Sequence, residues 1–186
     1  MRVELFEALD AAHGFLHDAI TAAVGSGWTN PSPCEGWTVR DVAQHIVGGA
    51  VRYRLLLEGF GEAEIAPTRT ADQLGDDPGQ ADARRSAELM AVARVADLDA
   101  LVQHPTGPRT GTQLLNLRVM EAAVHAWDIR TGAGLDPGLD TDLCAFVLAR
   151  FDDMGELGGF FGAGAARSDA DPGTALLVRT GRAPRP

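Results

Sequence analysis

The amino-acid sequence predicts an all-α protein in which a four-helix bundle is followed by a C-terminal helix and tail. Four long segments carry apolar residues at helical spacing, and no segment carries a β pattern strong enough to compete. A long segment rich in Gly, Pro and Asp, residues 59–80, separates the second helix from the third. Bundles with one long crossover connection have this arrangement, so the segment is expected to cross the surface between two helices.

The first two helices flank a short loop. Apolar residues form one stripe along residues 4–24, and a Gly-Ser-Gly sequence ends this helix. Residues 28–37 hold two prolines and a glycine between two tryptophans, which predicts an ordered loop pinned by its aromatic ends. Thr38 is a good N-cap and Asp41 suits the positive start of a helix, so the second helix is expected to extend to about residue 58.

Three further helices are expected at residues 81–103, 113–130 and 141–157. The segment PTGPRTGT, residues 105–112, ends the first of these three helices. In the Gly- and Ala-rich tail, residues 175–178 are the part able to dock on a core. These helices complete the bundle and its C-terminal addition.

Composition excludes several classes of protein. A chain of 186 residues with 45% hydrophobic composition is expected to fold as one domain, residues 1–186. The net charge of −10 repels phosphate backbones and anionic membranes, so neither nucleic-acid nor membrane binding is expected. All 16 basic residues are arginines. The absence of lysine excludes Schiff-base enzymes and the nucleotide-binding loops that require a lysine.

The sequence favours a cytoplasmic protein. It contains no run of about eighteen apolar residues, and residues 1–10 carry three acidic residues where a secretory signal has a basic start. Cys34 and Cys144 lie far apart, so neither a disulfide framework nor a cysteine-rich zinc site is indicated. A packed loop cysteine is the expected role of Cys34, with a reactive thiol as the alternative.

One polar stripe marks the otherwise apolar fourth long helix. Arg118, Glu121, His125 and Asp128 fall within about 80° of arc at 100° per residue. A buried acid and imidazole must be paired or coordinated, and Glu121 and His125, four residues apart, can reach one metal ion. The alternative is that the stripe is the solvated side of the helix. Asp128 is expected to hydrogen-bond His125, or else to hold the loop at residues 28–37.

His45 on the second helix is the best candidate for a third ligand. Gly48 and Gly49 follow it and clear space beside the imidazole. Two histidines and one glutamate would leave an open position on the metal, as in catalytic zinc sites. The alternative is a partly buried histidine at the edge of an apolar face. His13 and His17 form a weaker competing pair without an acid at ligand spacing, and His104, in a turn, is expected to be exposed.

Two strings carry a resemblance to a known family. WTNPSPCEGWTVRDVAQHIVGG, residues 28–49, and MEAAVHAWDIRTG, residues 120–132, resemble the N-terminal metal-binding domain of mycothiol-dependent maleylpyruvate isomerases and their DinB-like relatives. The tail ALLVRTGRAP, residues 175–184, resembles the ending of single-domain members. The resemblance implies a DinB-like bundle, a divalent metal, usually zinc, on His45, Glu121 and His125, and a low-molecular-weight thiol such as mycothiol as cofactor.

Two classes of function follow from these observations. The first is a metal-dependent isomerase or S-transferase that joins a thiol to a small electrophile, with metal-assisted hydrolysis as a variant that uses the same ligands. The second is a non-enzymatic bundle with a structural metal, whose surfaces serve homodimer formation or sequestration. An open position on the metal would favour the first class, and a fourth protein ligand would favour the second.

Overall fold

The computed structural model describes residues 2–155 and 170–183. In chain order the elements are α1 (Arg2–Val24), α2 (Val39–Leu57), α3 (Glu62–Ile65), α4 (Pro78–Val95), β1 (Leu101–His104), β2 (Gly107–Thr110), α5 (Gly111–Gly132), α6 (Thr141–Arg150) and α7 (Pro172–Arg179). Short 3-10 turns over Ala66–Arg69 and Phe151–Met154 follow α3 and α6. The four long helices carry the core, so the predicted all-α class is confirmed.

Helix α5 lies at the centre of the structure. Helices α1 and α2 both pack along it, and α4 packs against α1 and α2. From Leu114 to Ile129, the residues of α5 are buried with the exception of Glu121, which is half-buried. A helix that is apolar on most of its sides needs neighbours on all of them, which explains this position. The polar groups of α5 are therefore held inside the protein, close to α2.

Helix α2 begins where the sequence predicts, at a capping box. The Thr38 hydroxyl accepts a hydrogen bond from the Asp41 backbone N–H at 3.2 Å, and the Asp41 carboxylate accepts one from the Thr38 N–H at 2.9 Å. These bonds satisfy two backbone donors at the start of the helix. The cap fixes the start of α2 and, with it, the position of His45 two turns further along.

The loop at residues 28–37 is ordered and docks on the end of α5. Asn30 Nδ2 donates to the Gly132 carbonyl at 3.2 Å, and Pro31 forms an isolated β-bridge with Thr38. A Cβ atom on Gly132 would lie 2.7 Å from Val39 Cγ2 and 2.9 Å from the Pro31 carbonyl oxygen. Glycine at this position therefore lets the loop approach α5 closely enough to place Cys34 beside it.

The hairpin of β1 and β2 replaces the C-terminal part of the predicted third helix, whose end at residue 103 is wrong. Helix α4 ends at Val95, and Leu101 pairs with Thr110 and His104 with Gly107 across an antiparallel ladder. A two-residue turn joins the strands, and Gly107, the first residue of β2, takes a positive φ of 117°. Each strand has four residues, too few to show an alternating pattern in the sequence, and the ladder exists only when both are paired.

The remaining boundaries differ in detail from the predictions. Residues 59–80 form the crossover, but they contain α3 and a 3-10 turn, and α4 begins at Pro78 because Asp77 caps it. Helix α6 ends at Arg150 rather than at residue 157, and residues 156 and 157 lie outside the described part of the chain. The tail docks as predicted, since Leu176 and Leu177 of α7 are buried.

Within the described ranges, none of the helices combines the length and apolarity needed to cross a membrane.

The contact at Gly132 generates a stability prediction. Gly132→Ala should destabilise the protein by about 1–3 kcal/mol, because the added methyl group meets a backbone carbonyl and a packed valine. Gly14→Ala is the matched control. Gly14 lies within α1 with nothing near its Cβ position, so the change should stabilise by about 0.5–1 kcal/mol. Urea unfolding measures both, and a Gly132→Ala protein as stable as wild type would contradict the close docking of the loop.

Candidate functional site

A cavity of about 890 Å³ opens between the loop at residues 28–37, α2, the hairpin and α5. The C-terminal residues 180–182 form a further part of its wall. His45 from α2 and Glu121 and His125 from α5 all line it. The structure thus brings the three residues singled out in the sequence to one cavity, although they lie as much as 80 residues apart in the chain.

The rings of His45 and His125 lie next to each other in the wall of the cavity, in an edge-to-face arrangement. Their ring centroids lie 5.2 Å apart, with the planes at 77°. The Trp37 ring lies 5.1 Å from the His45 ring on another side. Burial lowers the pKa of His45 to about 3, and the charges of His125, Arg52 and Arg118 act in the same direction. His45 is therefore neutral, the form of imidazole that binds metals.

Asp128 holds the His125 ring from behind. The Nδ1 atom of His125 lies 2.9 Å from Asp128 Oδ2, a hydrogen bond in which the ring donates to the carboxylate. This is the contact that the spacing of the stripe predicts. The alternative contact, to the loop at residues 28–37, is present too, because Cys34 Sγ donates to the same oxygen at 3.3 Å. Asp128 therefore orients the ring and ties down the loop.

Arg182 is the site residue that the sequence reasoning missed. Its Nη2 lies 2.7 Å from Asp128 Oδ2 and its Nε lies 3.2 Å from Oδ1. Burial by itself would raise the pKa of Asp128, but the hydrogen bonds from His125 and Arg182 outweigh it and hold the pKa below its usual value. The sequence offered one signal, the resemblance of the tail around this arginine to single-domain family members.

One group of three residues within the described ranges places potential ligand atoms within 4.8 Å of one another: Cys34, His125 and Asp128. Within those ranges, the predicted set of His45, Glu121 and His125 does not meet this distance, although all three residues line the cavity. Asp128 Oδ2 already accepts hydrogen bonds from His125 Nδ1 and the Cys34 thiol, and the Arg182 cation pairs with it. Because these atoms satisfy one another and a cation is part of the group, we interpret the group as a hydrogen-bond network rather than a metal site.

Arg118 shows that the polar stripe does not face solvent. The Arg118 and Asp128 side chains are fully buried, so the solvated-face interpretation is wrong. Arg118 Nη1 donates to the Ile46 carbonyl at 2.9 Å, and its Nε donates to His13 Nε2 at 3.3 Å. A Cβ on Gly49 would lie 3.2 Å from Arg118 Nη1, so the space that this glycine clears holds a guanidinium group.

The other three histidines have different hydrogen-bond and ring partners from the candidate ligands. His13 accepts from Arg118, and His17 lies 3.4 Å from Asp82. His104 is half-buried on β1, with its ring 6.0 Å from the Tyr53 ring, and burial lowers its pKa to about 4. The expectation that His104 is exposed is therefore wrong, because the hairpin folds it into the cavity wall.

Arg52 supplies positive charge to the cavity. Its Nη2 donates to the His45 carbonyl at 3.1 Å, which fixes the side chain against α2. Among the described residues no carboxylate lies within ion-pair distance of it, and the nearby Glu121 acts on it through its charge alone. Arg69, by contrast, pairs with Glu62. In the described part of the chain, the cavity thus combines the candidate ligand set with the Arg52 guanidinium, which has no ion-pair partner there.

Comparisons with known proteins identify the family and the fold of the chain. A family profile described as the mycothiol maleylpyruvate isomerase N-terminal domain matches residues 9–130. Uncharacterised proteins from two strains of Mycobacterium tuberculosis are 28% identical over 142 residues, which is 74% of this chain and 74% of theirs. Crystal structures of the mycothiol-dependent maleylpyruvate isomerase and of a histidine-to-alanine variant are similar, with TM-scores of 0.60 and 0.59 at 17% identity.

The structural similarity concerns the fold. It covers 77% of this chain and 66% of the isomerase chain, so the chain spans just under two thirds of the length of that enzyme. The DinB-like fold expected from the sequence is confirmed.

The surroundings of Cys34 predict that its thiol reacts slowly with alkylating reagents. Burial raises its pKa to about 12, and the Asp128 carboxylate reinforces the effect. At pH 8 only about one such thiol in 10,000 is ionised, so iodoacetamide should modify Cys34 far more slowly than an ordinary thiol with a pKa of about 8.5. Asp128→Asn should accelerate the reaction, because it removes the opposing charge and leaves Arg182 beside the sulfur. Mass spectrometry of peptides measures the rate, and wild-type Cys34 reacting as fast as free N-acetylcysteine would contradict the raised pKa.

Proposed function

The chain belongs to the mycothiol maleylpyruvate isomerase N-terminal domain family, and from that membership we propose that it is a metal-dependent enzyme that uses a low-molecular-weight thiol. It would act as an isomerase or S-transferase on a small electrophile, with mycothiol as the thiol and zinc as the metal. The observation that carries the proposal is the convergence of His45, Glu121 and His125 on one cavity. Free thiols at Cys34 and Cys144 accord with a cytoplasmic location.

The donor chemistry of the three residues supports a divalent metal. Asp128 engages Nδ1 of His125, which leaves Nε2 of that ring as the nitrogen for a ligand bond. His45 is neutral, and the Glu121 carboxylate lies on the same helix as His125, four residues earlier. Two imidazoles and one carboxylate are the donor set of catalytic zinc sites with an open position. When bound there, the metal would supply positive charge that favours the thiolate form of a thiol.

The chain itself would bind and orient the reactants. The cavity volume of about 890 Å³ is in the upper part of the range for small-molecule sites, enough for a thiol and a second small molecule. Arg52 is the cation best placed to bind an anionic group of the electrophile, because its guanidinium group lines the cavity without an ion-pair partner in the described ranges. The Trp37 ring packs against one side of His45.

Metal binding tests the ligand assignment. Protein purified without added metal should contain about one equivalent of divalent metal per chain, and His125→Ala should abolish this content, because it removes one of three protein ligands. His17→Ala is the control, since His17 lies beside Asp82 with 42% of its side chain exposed, outside the cavity lining. Elemental analysis and chelator competition measure the content. Full stoichiometric metal in His125→Ala would remove His125 from the ligand set.

Thiol binding tests the chemistry. Titration of the zinc-loaded protein with mycothiol should release close to one proton per chain at neutral pH, because a free thiol is mostly protonated there and positive charge at the site favours its thiolate. Calorimetry in buffers of different ionisation enthalpy gives the proton count. S-methyl mycothiol and metal-free protein are the controls, and both should release none. Saturable mycothiol binding without proton release would leave metal-assisted hydrolysis or a non-enzymatic role as the better account.

A further inference from the structure

The C-terminal segment returns to the cavity after α7. Helix α7 ends at Arg179, and Gly181 takes a positive φ of 76°, which turns the chain. Thr180, Gly181 and Arg182 then line the cavity. The Thr180 hydroxyl donates to the Leu176 carbonyl at 2.9 Å, so this turn is fixed to the helix that precedes it. The segment is thus a built part of the cavity wall.

Arg182 binds the Asp128 carboxylate through two hydrogen-bond donors. Its Nε and Nη2 bond to the two carboxylate oxygens, and its Nη1 donates to the Thr180 carbonyl at 2.6 Å. The Arg182 side chain is 11% exposed and the Asp128 side chain is fully buried. A buried, bidentate pair of this kind fixes the plane of the carboxylate, whereas an exposed ion pair leaves it free to rotate. One guanidinium therefore sets the orientation of Asp128.

We infer that Arg182 is a positioning residue for the candidate metal centre, acting through Asp128 on the imidazole of His125. The carboxylate that accepts from His125 Nδ1 is the one that Arg182 holds, so the two bonds share Asp128 Oδ2. With that oxygen fixed, the ring is held with its proton on Nδ1 and with Nε2 left for a ligand. The inference rests on the proposed function for its metal and on the hydrogen bonds at Asp128 for the orientation of the ring.

A purely structural tether is the competing explanation, and a second arginine of the same segment allows the two to be separated. Arg179 pairs with Asp152, whose side chain is 87% exposed, and stacks over the Phe151 ring at 4.1 Å. It does not line the cavity. Arg179→Gln therefore removes a C-terminal arginine that contacts the body of the protein without touching Asp128.

The first measurement is zinc affinity by chelator competition in Arg182→Gln, Arg182→Lys and Arg179→Gln. Loss of a hydrogen-bond partner behind a ligand lowers metal affinity about 10- to 100-fold, and we expect Arg182→Gln near the lower figure, about 10-fold. Arg182→Lys keeps the positive charge but cannot bind both carboxylate oxygens as the planar guanidinium does. Its zinc affinity should therefore lie between those of Arg182→Gln and wild type. Arg179→Gln should bind zinc as wild type does. In an Asp128→Asn background, Arg182→Gln should cause no further loss, since its effect passes through that carboxylate.

The second measurement uses metal-free protein and reports the ring directly. Nitrogen-15 NMR should show the His125 proton on Nδ1 in wild type and in Arg179→Gln, and a mixture of tautomers in Arg182→Gln. This result with the loss of affinity supports the inference. Wild-type affinity and a wild-type tautomer in a folded Arg182→Gln or Arg182→Lys protein would overturn it. If wild type binds no zinc, the proposed function fails, and an unchanged tautomer in the Arg182 variants would overturn the positioning role as well.

Discussion

The buried carboxylate of Asp128 is the interaction on which the rest of the site depends. Three separate parts of the chain meet at its oxygens: His125 on α5, Cys34 on the loop at residues 28–37, and Arg182 on the C-terminal segment. An isolated buried charge is expensive, and removing one partner of a buried pair costs about 3–5 kcal/mol. The loop and the C-terminal segment are therefore held to α5 by a charge that requires their donors. This requirement also fixes two walls of the cavity, the loop and the C-terminal segment.

The same carboxylate determines how the neighbouring groups behave. Burial and this carboxylate together raise the pKa of Cys34, and the carboxylate accepts the hydrogen bond from Nδ1 of His125. The thiol nearest the site is thereby kept unreactive while the imidazole keeps a free nitrogen. Under the proposed function, this division keeps the chain's own cysteine from competing with the external thiol for the electrophile.

Two arginines lie near the glycines of α2, and the backbone makes room for them. A Cβ on Gly48 would lie 2.9 Å from Arg52 Nη1, and one on Gly49 would lie 3.2 Å from Arg118 Nη1. Glycine within a helix costs about 0.5–1 kcal/mol relative to alanine. Here the cost allows one guanidinium to be buried behind the site and another to line the cavity. The second can attract an anion to the cavity of a protein whose net charge is −10.

The sequence by itself determined the elements that depend on local chemistry. The cap at Thr38 follows from hydrogen bonds between residues three apart in the chain. The long helices and the burial of α5 follow from apolar residues spaced at the 3.6-residue period of a helix, which depends only on residues close in sequence. The spacing of Glu121, His125 and Asp128 on one face follows from the same period. Tertiary structure alone decided the hairpin that folds His104 inward, because its two strands are stable only as a pair. It also decided the place of Arg182, because a contact across 54 residues depends on where the chain returns and leaves no periodic trace in the sequence.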